Sequence, residues 1–194
     1  MIDFTKRPLS WSAKSSFDYD PEQWYRKYIL NEKQEENAWM RFGKEVGERL
    51  ANDPNYLPNV PRGSKYEHEL RCNISGVPCI GFIDSYTKEV LLLEYKTGEK
   101  PWTQQRANNH GQLKFYALML YLIDGINPKD LRIRLVSMQT KLNADFTVSF
   151  VENMEPKIFD VKLTLIDCLK FGAEILQTVK KMEEYANRRS NMCM

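Results

Sequence analysis

No apolar run in the 194-residue sequence approaches the roughly 18 residues that a membrane-spanning helix needs, and the opening MIDFTKRPLSW lacks the apolar stretch of a secretory signal. A soluble, intracellular protein of the cytoplasm, with no membrane partner, is therefore expected. Cysteine is scarce: Cys72, Cys79, Cys168 and Cys193 are widely spread, with no C-x-x-C pair and no nearby His-x-x-x-His, which disfavours a zinc site and predicts reduced, inert thiols. In that compartment the sequon Asn73-Ile74-Ser75 reads as turn chemistry ahead of Gly76. Nothing matches a Gly-x-Ser-x-Gly elbow or a Walker loop, which argues against a small-molecule hydrolase. Repeats, low-complexity tracts and Gly/Ser linkers are also missing, so residues 1–194 are expected to form one domain. A formal net charge of +2 and a pI near 8.2 leave no global field for nucleic acid, so any such contact must come from a local patch.

What is present is the composition of an ordinary globular protein, 42% hydrophobic and 28% charged. Asp20-Pro21-Glu22-Gln23 predicts a helix start, with Asp20 as N-cap, Pro21 in the first helical position and Gln23 closing a capping box; Trp24, Tyr25 and Tyr28 follow at core spacing. A second helix is expected from Asn37 to Ala51, with Trp39, Phe42, Val46 and Leu50 on one stripe and Gly43 and Gly47 beside it, open to close approach. Tyr66 to Ile74, Val77 to Ser85 and Val90 to Thr97 read as a three-stranded meander, turned at Ser75-Gly76 and Thr87-Lys88-Glu89. A long helix from Thr103 to Ile123, strands at Leu131 to Met138 and Phe146 to Val151, and a helix from Asp160 to a frayed tail at Glu183 to Arg189 complete the order. The fold class is α/β, in the sense of a mixed α+β sheet flanked by helices.

The stretch GFIDSYTKEVLLLEYKTG puts Asp84, Glu94 and Lys96 among residues that should be buried. Alternation along a strand points Glu94 and Lys96 the same way, and closing the turn near Lys88 sets Asp84 across from Leu93 or Glu94. Two carboxylates brought together away from water repel, and one must hold a proton unless a cation sits between them. One reading is a buried ion pair in which Lys96 neutralises a carboxylate and nothing further happens. The other is a site for a divalent metal, Mg²⁺ or Mn²⁺, in which hard oxygen ligands hold the ion and the ammonium serves the attacking water or the phosphate.

At these residues the chain resembles the PD-(D/E)XK nuclease superfamily, and within it the RecB-type exonuclease branch with its CRISPR-associated and phage exonucleases. The likeness lies in GFID (Gly81 to Asp84), in EYKTG (Glu94 to Gly98), in QLKFYALML from Gln112 with its Gln-x-x-x-Tyr pattern, and in the opening LSWSAKSSFDYDPEQWYRKYI. It implies a restriction-endonuclease-like core, a metal held by Asp84, Glu94 and the Tyr95 carbonyl, catalysis by Lys96, and Gln112 and Tyr116 on the substrate side. Lys100, Arg106 and Lys114, opposed only by Glu99 and interleaved with Trp102, are the expected DNA-binding cations. His110 reads as solvent-facing or as a phosphate contact, and His68 has no identifiable partner.

The sequence departs from that pattern twice. Where many relatives carry a histidine on the second helix this chain has Gly47, so Glu48, with Glu45 as rival, is the candidate for the missing ligand. Asp20 stands where iron–sulfur members place a cysteine, so no iron–sulfur cluster is expected. The function implied is a metal-dependent deoxyribonuclease, an exonuclease of repair, recombination or phage and defence processing. A structure-selective endonuclease on the same core and a non-catalytic nucleic-acid-binding protein of the same fold are the alternatives.

Overall fold

The computed structural model describes residues 2–87 and 91–192; Lys88, Glu89 and Val90, where the second turn of the meander is expected, and Cys193 lie outside the described residues. The chain runs β1 (Leu9–Ser10), α1 (Trp11–Tyr19), α2 (Pro21–Tyr28), α3 (Ala38–Asn52), β2 (Lys65–Ile74), β3 (Val77–Thr87), β4 (Leu91–Gly98), α4 (Gln104–Asn108), α5 (Gly111–Asp124), β5 (Arg132–Leu142), β6 (Val148–Phe150), β7 (Lys157–Val161) and α6 (Leu165–Met192). These strands form one seven-stranded mixed sheet.

Local chemistry explains the elements that carry the site. Asp20 caps α2, its carboxylate accepting the Glu22 and Gln23 main-chain N–H groups at 3.0 and 3.1 Å, and the same residue ends α1. The β2–β3 hairpin closes on Ser75 (φ 50°) and Gly76 (φ 96°), two left-handed residues whose twist matches that of the strands. Asn73 Oδ1 accepts the Gly76 N–H there, so the sequon is spent on the turn.

Pairing along β3 is divided. On one edge β2 runs antiparallel from Lys65↔Tyr86 to Ile74↔Val77. The other edge is shared: β1 pairs in parallel at Cys79 and Ile80, and β4 pairs antiparallel only at Ser85, Tyr86 and Thr87. Residues 81–84 face a gap between the two. By contrast β4 and β5 are parallel partners along all of Leu91–Gly98, joined by a crossover through α4 and α5.

Helices α1, α2, α5 and α6 cover one face, where Trp24, Ile83, Leu92, Phe115, Met119, Ile133 and Ile175 are among the buried residues. On the other face α3 covers a smaller core of Val46, Leu50, Val60, Leu93, Val136 and Met138. The alternation of Leu92 and Leu93 between these cores sends Glu94 and Lys96 toward α5 and Tyr95 toward α3.

Several expectations are corrected. The long helix expected from Thr103 is two, broken at the poor helix formers Asn109 and His110, and Gly111 opens the second where a Cβ would lie 2.5 Å from the Trp11 ring. Asp160 lies in β7, not a helix: α6 begins after a reciprocal cap in which Thr164 N–H donates to Asp167 Oδ2 (2.9 Å) and Asp167 N–H donates to Thr164 Oγ1 (3.2 Å). The tail is not frayed, since Tyr185 Oη and Arg189 both donate to the Glu22 carboxylate, at 2.7 and 2.6 Å. Gly43 does allow close approach, since a Cβ there would lie 3.1 Å from Thr97 Oγ1, whereas Gly47 faces open space.

Candidate active site

The gap in the β3 edge is where the ionisable groups gather. Continuing the β3–β4 ladder one step past Ser85↔Leu93 would pair Asp84 with Glu94. Instead the strands part, and Asp84 Oδ2 accepts the Tyr95 main-chain N–H at 2.7 Å, taking the place of a ladder partner. Glu94 is 1% exposed and its Oε1 lies 2.6 Å from Lys96 Nζ. Lys96 donates a second bond to Gln112 Oε1 (2.9 Å), and Gln112 Nε2 donates to Tyr116 Oη (2.9 Å). A single polar chain thus runs from Glu94 through Lys96 and Gln112 to Tyr116. The Tyr116 hydroxyl fixes the amide so that its oxygen meets the ammonium.

Gly81 explains the glycine of GFID. A Cβ there would lie 2.8 Å from Tyr116 Cε1, so the bare backbone makes room for the ring. Tyr116 is buried beneath Gln112 and acts through it, whereas Gln112 lines the cleft itself.

These groups sit in a cleft of about 760 Å³ between α3, β2, β4 and the start of α5, lined by Gly47, Glu48, Glu67, Asp84, Glu94 and Lys96 among others. Burial, then repulsion from Glu94, raises the Asp84 carboxyl well above the usual carboxylate range. Burial likewise raises Glu94, against the opposing pull of Lys96. For Lys96 burial favours the neutral form, but Glu94 and Asp84 outweigh it and the ammonium is held above its ordinary value. One cation therefore serves two acids, and the deficit remains visible: Glu94 Oε2 is buried with no hydrogen-bond partner.

A divalent ion would fit that deficit. Among the described residues no group of three His, Cys, Asp or Glu side chains could hold a metal. The two carboxylates, completed by the Tyr95 carbonyl, water and a substrate phosphate, would make the sparse donor set that suits Mg²⁺, which keeps several waters. Mn²⁺ shares the preference for oxygen ligands.

The remaining sequence candidates divide. Glu48 lines the cleft at its exposed rim, whereas Glu45 is exposed and lies 3.9 Å from Arg49. Lys100 and Arg106 line a neighbouring groove that also includes Lys96. Lys114 is not brought to either; its charge acts on Asp167 and Cys168 of α6. His110 is neither solvent-facing nor a cation: packed against Trp11 and Trp102, it is pushed down to about 3 by burial and by the charges of Lys96 and Arg106. His68 has a partner after all, stacking on Tyr86 with centroids 4.9 Å apart.

Glu67 was missed. It occupies the β2 position opposite Asp84, between Tyr66↔Ser85 and His68↔Ile83, with a left-handed φ of 45°, and its charge helps raise both carboxyls. The signal was available, because counting back from the Ser75-Gly76 turn pairs position 67 with 84.

No family model matches the chain, and no curated protein matches it. Solved structures do. The chain is similar to the alkaline exonuclease from Laribacter hongkongensis, at 15% identity over 98% of each chain with a TM-score of 0.53. It is equally similar in shape to a phage related exonuclease from Haemophilus somnus, at 13% identity over 93% of this chain and 84% of that one, again with a TM-score of 0.53. The fold is that of these exonucleases. The restriction-endonuclease-like core implied by GFID, EYKTG and the Gln-x-x-x-Tyr pattern is therefore present. A longer protein from Eubacterium rectale is matched over 64% of its own length and 90% of this chain, at 14% identity and a TM-score of 0.43. Among the described residues no helix is long and apolar enough to cross a membrane.

Proposed function

We propose that the protein is a divalent-metal-dependent deoxyribonuclease, working as an exonuclease. The observation that carries this reading is the uncompensated pair of acids at the strand gap, with an oriented ammonium beside them. A purely structural ion pair would set one acid against one base, whereas here two buried acids share a single lysine.

Asp84, Glu94 and the Tyr95 carbonyl would hold the ion, and Glu48 and Glu67 are the other acids that line the cleft. When bound, Mg²⁺ or Mn²⁺ supplies Lewis-acid polarisation of the phosphate and a water of lowered pKa. Lys96 is protonated and doubly anchored, so it acts as a donor to the attacking water or to charge growing on the phosphate, not as the base. Gln112 keeps that ammonium aimed, and Tyr116 keeps Gln112 aimed. Water adds to phosphorus and gives a proton to bulk water, the bond to the 3′-oxygen breaks, and that oxygen takes a proton to become a 3′-hydroxyl, leaving a 5′-phosphate. The proteins of like fold matched above are described as exonucleases, and it is by that fold-level analogy that an exonuclease is preferred to an endonuclease.

Purified protein tested on linear, nicked, circular and single-stranded DNA decides the matter. Degradation of linear DNA with Mg²⁺, arrested by EDTA, is expected, with closed circles spared. Cutting of closed circles would make it an endonuclease, and no cutting of any substrate would remove the enzyme reading.

A further inference from the structure

Beyond Lys96, β4 runs into the loop that precedes α4, and a second groove of about 350 Å³ opens there, sharing Lys96 and Thr97 with the cleft. Trp39, from the start of α3, lines it, as do Trp102 and Arg106, whose guanidinium lies 4.0 Å over the Trp102 ring. His110 packs on the same indole with centroids 5.0 Å apart, which holds Trp102 in place and leaves the exposed Arg106 as a flat cationic shelf. Lys100 adds a further cation, and Glu99 is the carboxylate in the lining. Among the described residues neither Lys100 nor Arg106 makes an ion pair.

Trp24, in the core, is 2% exposed, whereas Trp39 and Trp102 are only half-buried. Indole surface, a guanidinium plane and unpaired cations around one groove are the chemistry that receives a nucleobase together with its phosphate. We propose that this groove clamps the base of the nucleotide next to the phosphate held in the cleft, between Trp39 and the Trp102–Arg106 shelf. A base enters such a groove only after leaving its duplex stack, so the strand being cut is unpaired at that position. Stacking is indifferent to base identity, so little sequence preference follows. The inference rests on the nuclease reading and adds to it the substrate class, single strands and frayed ends.

The test uses the intact chain and a fluorescein-labelled DNA single strand of about eight nucleotides, within the span that such grooves engage. Binding is followed by anisotropy with Ca²⁺ in place of Mg²⁺, and an abasic position is stepped along the strand. One abasic position should weaken binding about 10-fold, within the range that stacking of one base supplies. Trp39→Ala and Arg106→Lys, the latter keeping charge and losing the plane, should each bind the intact strand about as weakly and lose the response to the abasic site, with circular dichroism confirming the fold. A flat abasic series for the wild type, or Arg106→Lys binding like the wild type, overturns the clamp. Degradation of the same strand in Mg²⁺ separates the two ideas. Cutting with a flat series leaves the nuclease and removes the clamp; absence of cutting removes the reading on which the clamp rests.

Discussion

The two edges of β4 behave differently. Toward β5 it is paired along its whole length, and the β5 side chains there divide between two apolar cores, Ile133 and Leu135 in one and Val136 and Met138 in the other. Toward β3 the ladder stops after three pairs, and the next residues, Glu94, Tyr95 and Lys96, meet Asp84 and one another through an ion pair and a side-chain-to-backbone hydrogen bond. A continuous ladder satisfies the backbone groups along that edge. The interrupted edge frees the Tyr95 N–H for the Asp84 carboxylate and opens onto the cleft. The proposed chemistry sits at the interruption while the intact edge holds it still.

The largest effect expected from disturbing the interrupted edge is that of Lys96→Ala. Cleavage should fall by at least ~10²-fold, the scale of losing one oriented transition-state donor. Glu94 would also be left buried and alone, at a cost of ~3 kcal/mol, the low end for a broken buried pair because the Lys96 side chain is 27% exposed. Adding Glu94→Gln to that variant should restore much of the melting temperature but none of the cleavage.

Gly81→Ala comes next. Its new methyl would press on Tyr116, costing ~1–3 kcal/mol in a denaturant melt and lowering cleavage through misplaced Gln112. A stable, fully active variant would mean that Tyr116 does not position Gln112. Lys114→Ala sharpens the contrast from the other side. Facing α6, it should change stability by no more than ~0.5 kcal/mol and leave oligonucleotide affinity unaltered, whereas Lys100→Ala should weaken binding and reduce its salt dependence.

Much of this was legible in the sequence. Strand periodicity and the Ser75-Gly76 turn located β2 and β3, and the Glu-x-Lys alternation placed Glu94 and Lys96 on one face. The division of the β3 edge was not legible, because β1 is only two residues long and its pairing is set by tertiary packing of α1. The helix break at His110 carried a weak signal in Asn108-Asn109 and Gly111, poor helix formers that the apolar run after them outweighed. Glu67 was hidden by reading β2 as a plain strand. Trp39 was hidden too, because an indole at core spacing looks the same whether it meets a core or a groove.

Acidity gives the most direct access to the central claim, that two crowded acids await a cation. Without metal, the folded Asp84 carboxyl lies above its unfolded value, so its contribution to stability is complete below the unfolded value and is lost as pH rises through the folded one. Asp84→Asn should remove that slope and, at neutral pH in EDTA, raise the melting temperature by about 2–4 °C, the response to ~1 kcal/mol at this chain length. With Mn²⁺ the order should reverse. Binding at ~100 times Kd stabilises the wild type by ~2.7 kcal/mol, and the variant, missing a ligand, gains far less. The decisive measurement is the melting temperature of both proteins against Mn²⁺ concentration at neutral pH. Curves that cross, with the wild type rising past the variant, are the predicted result; a wild type indifferent to the ion, or parallel curves, would contradict it.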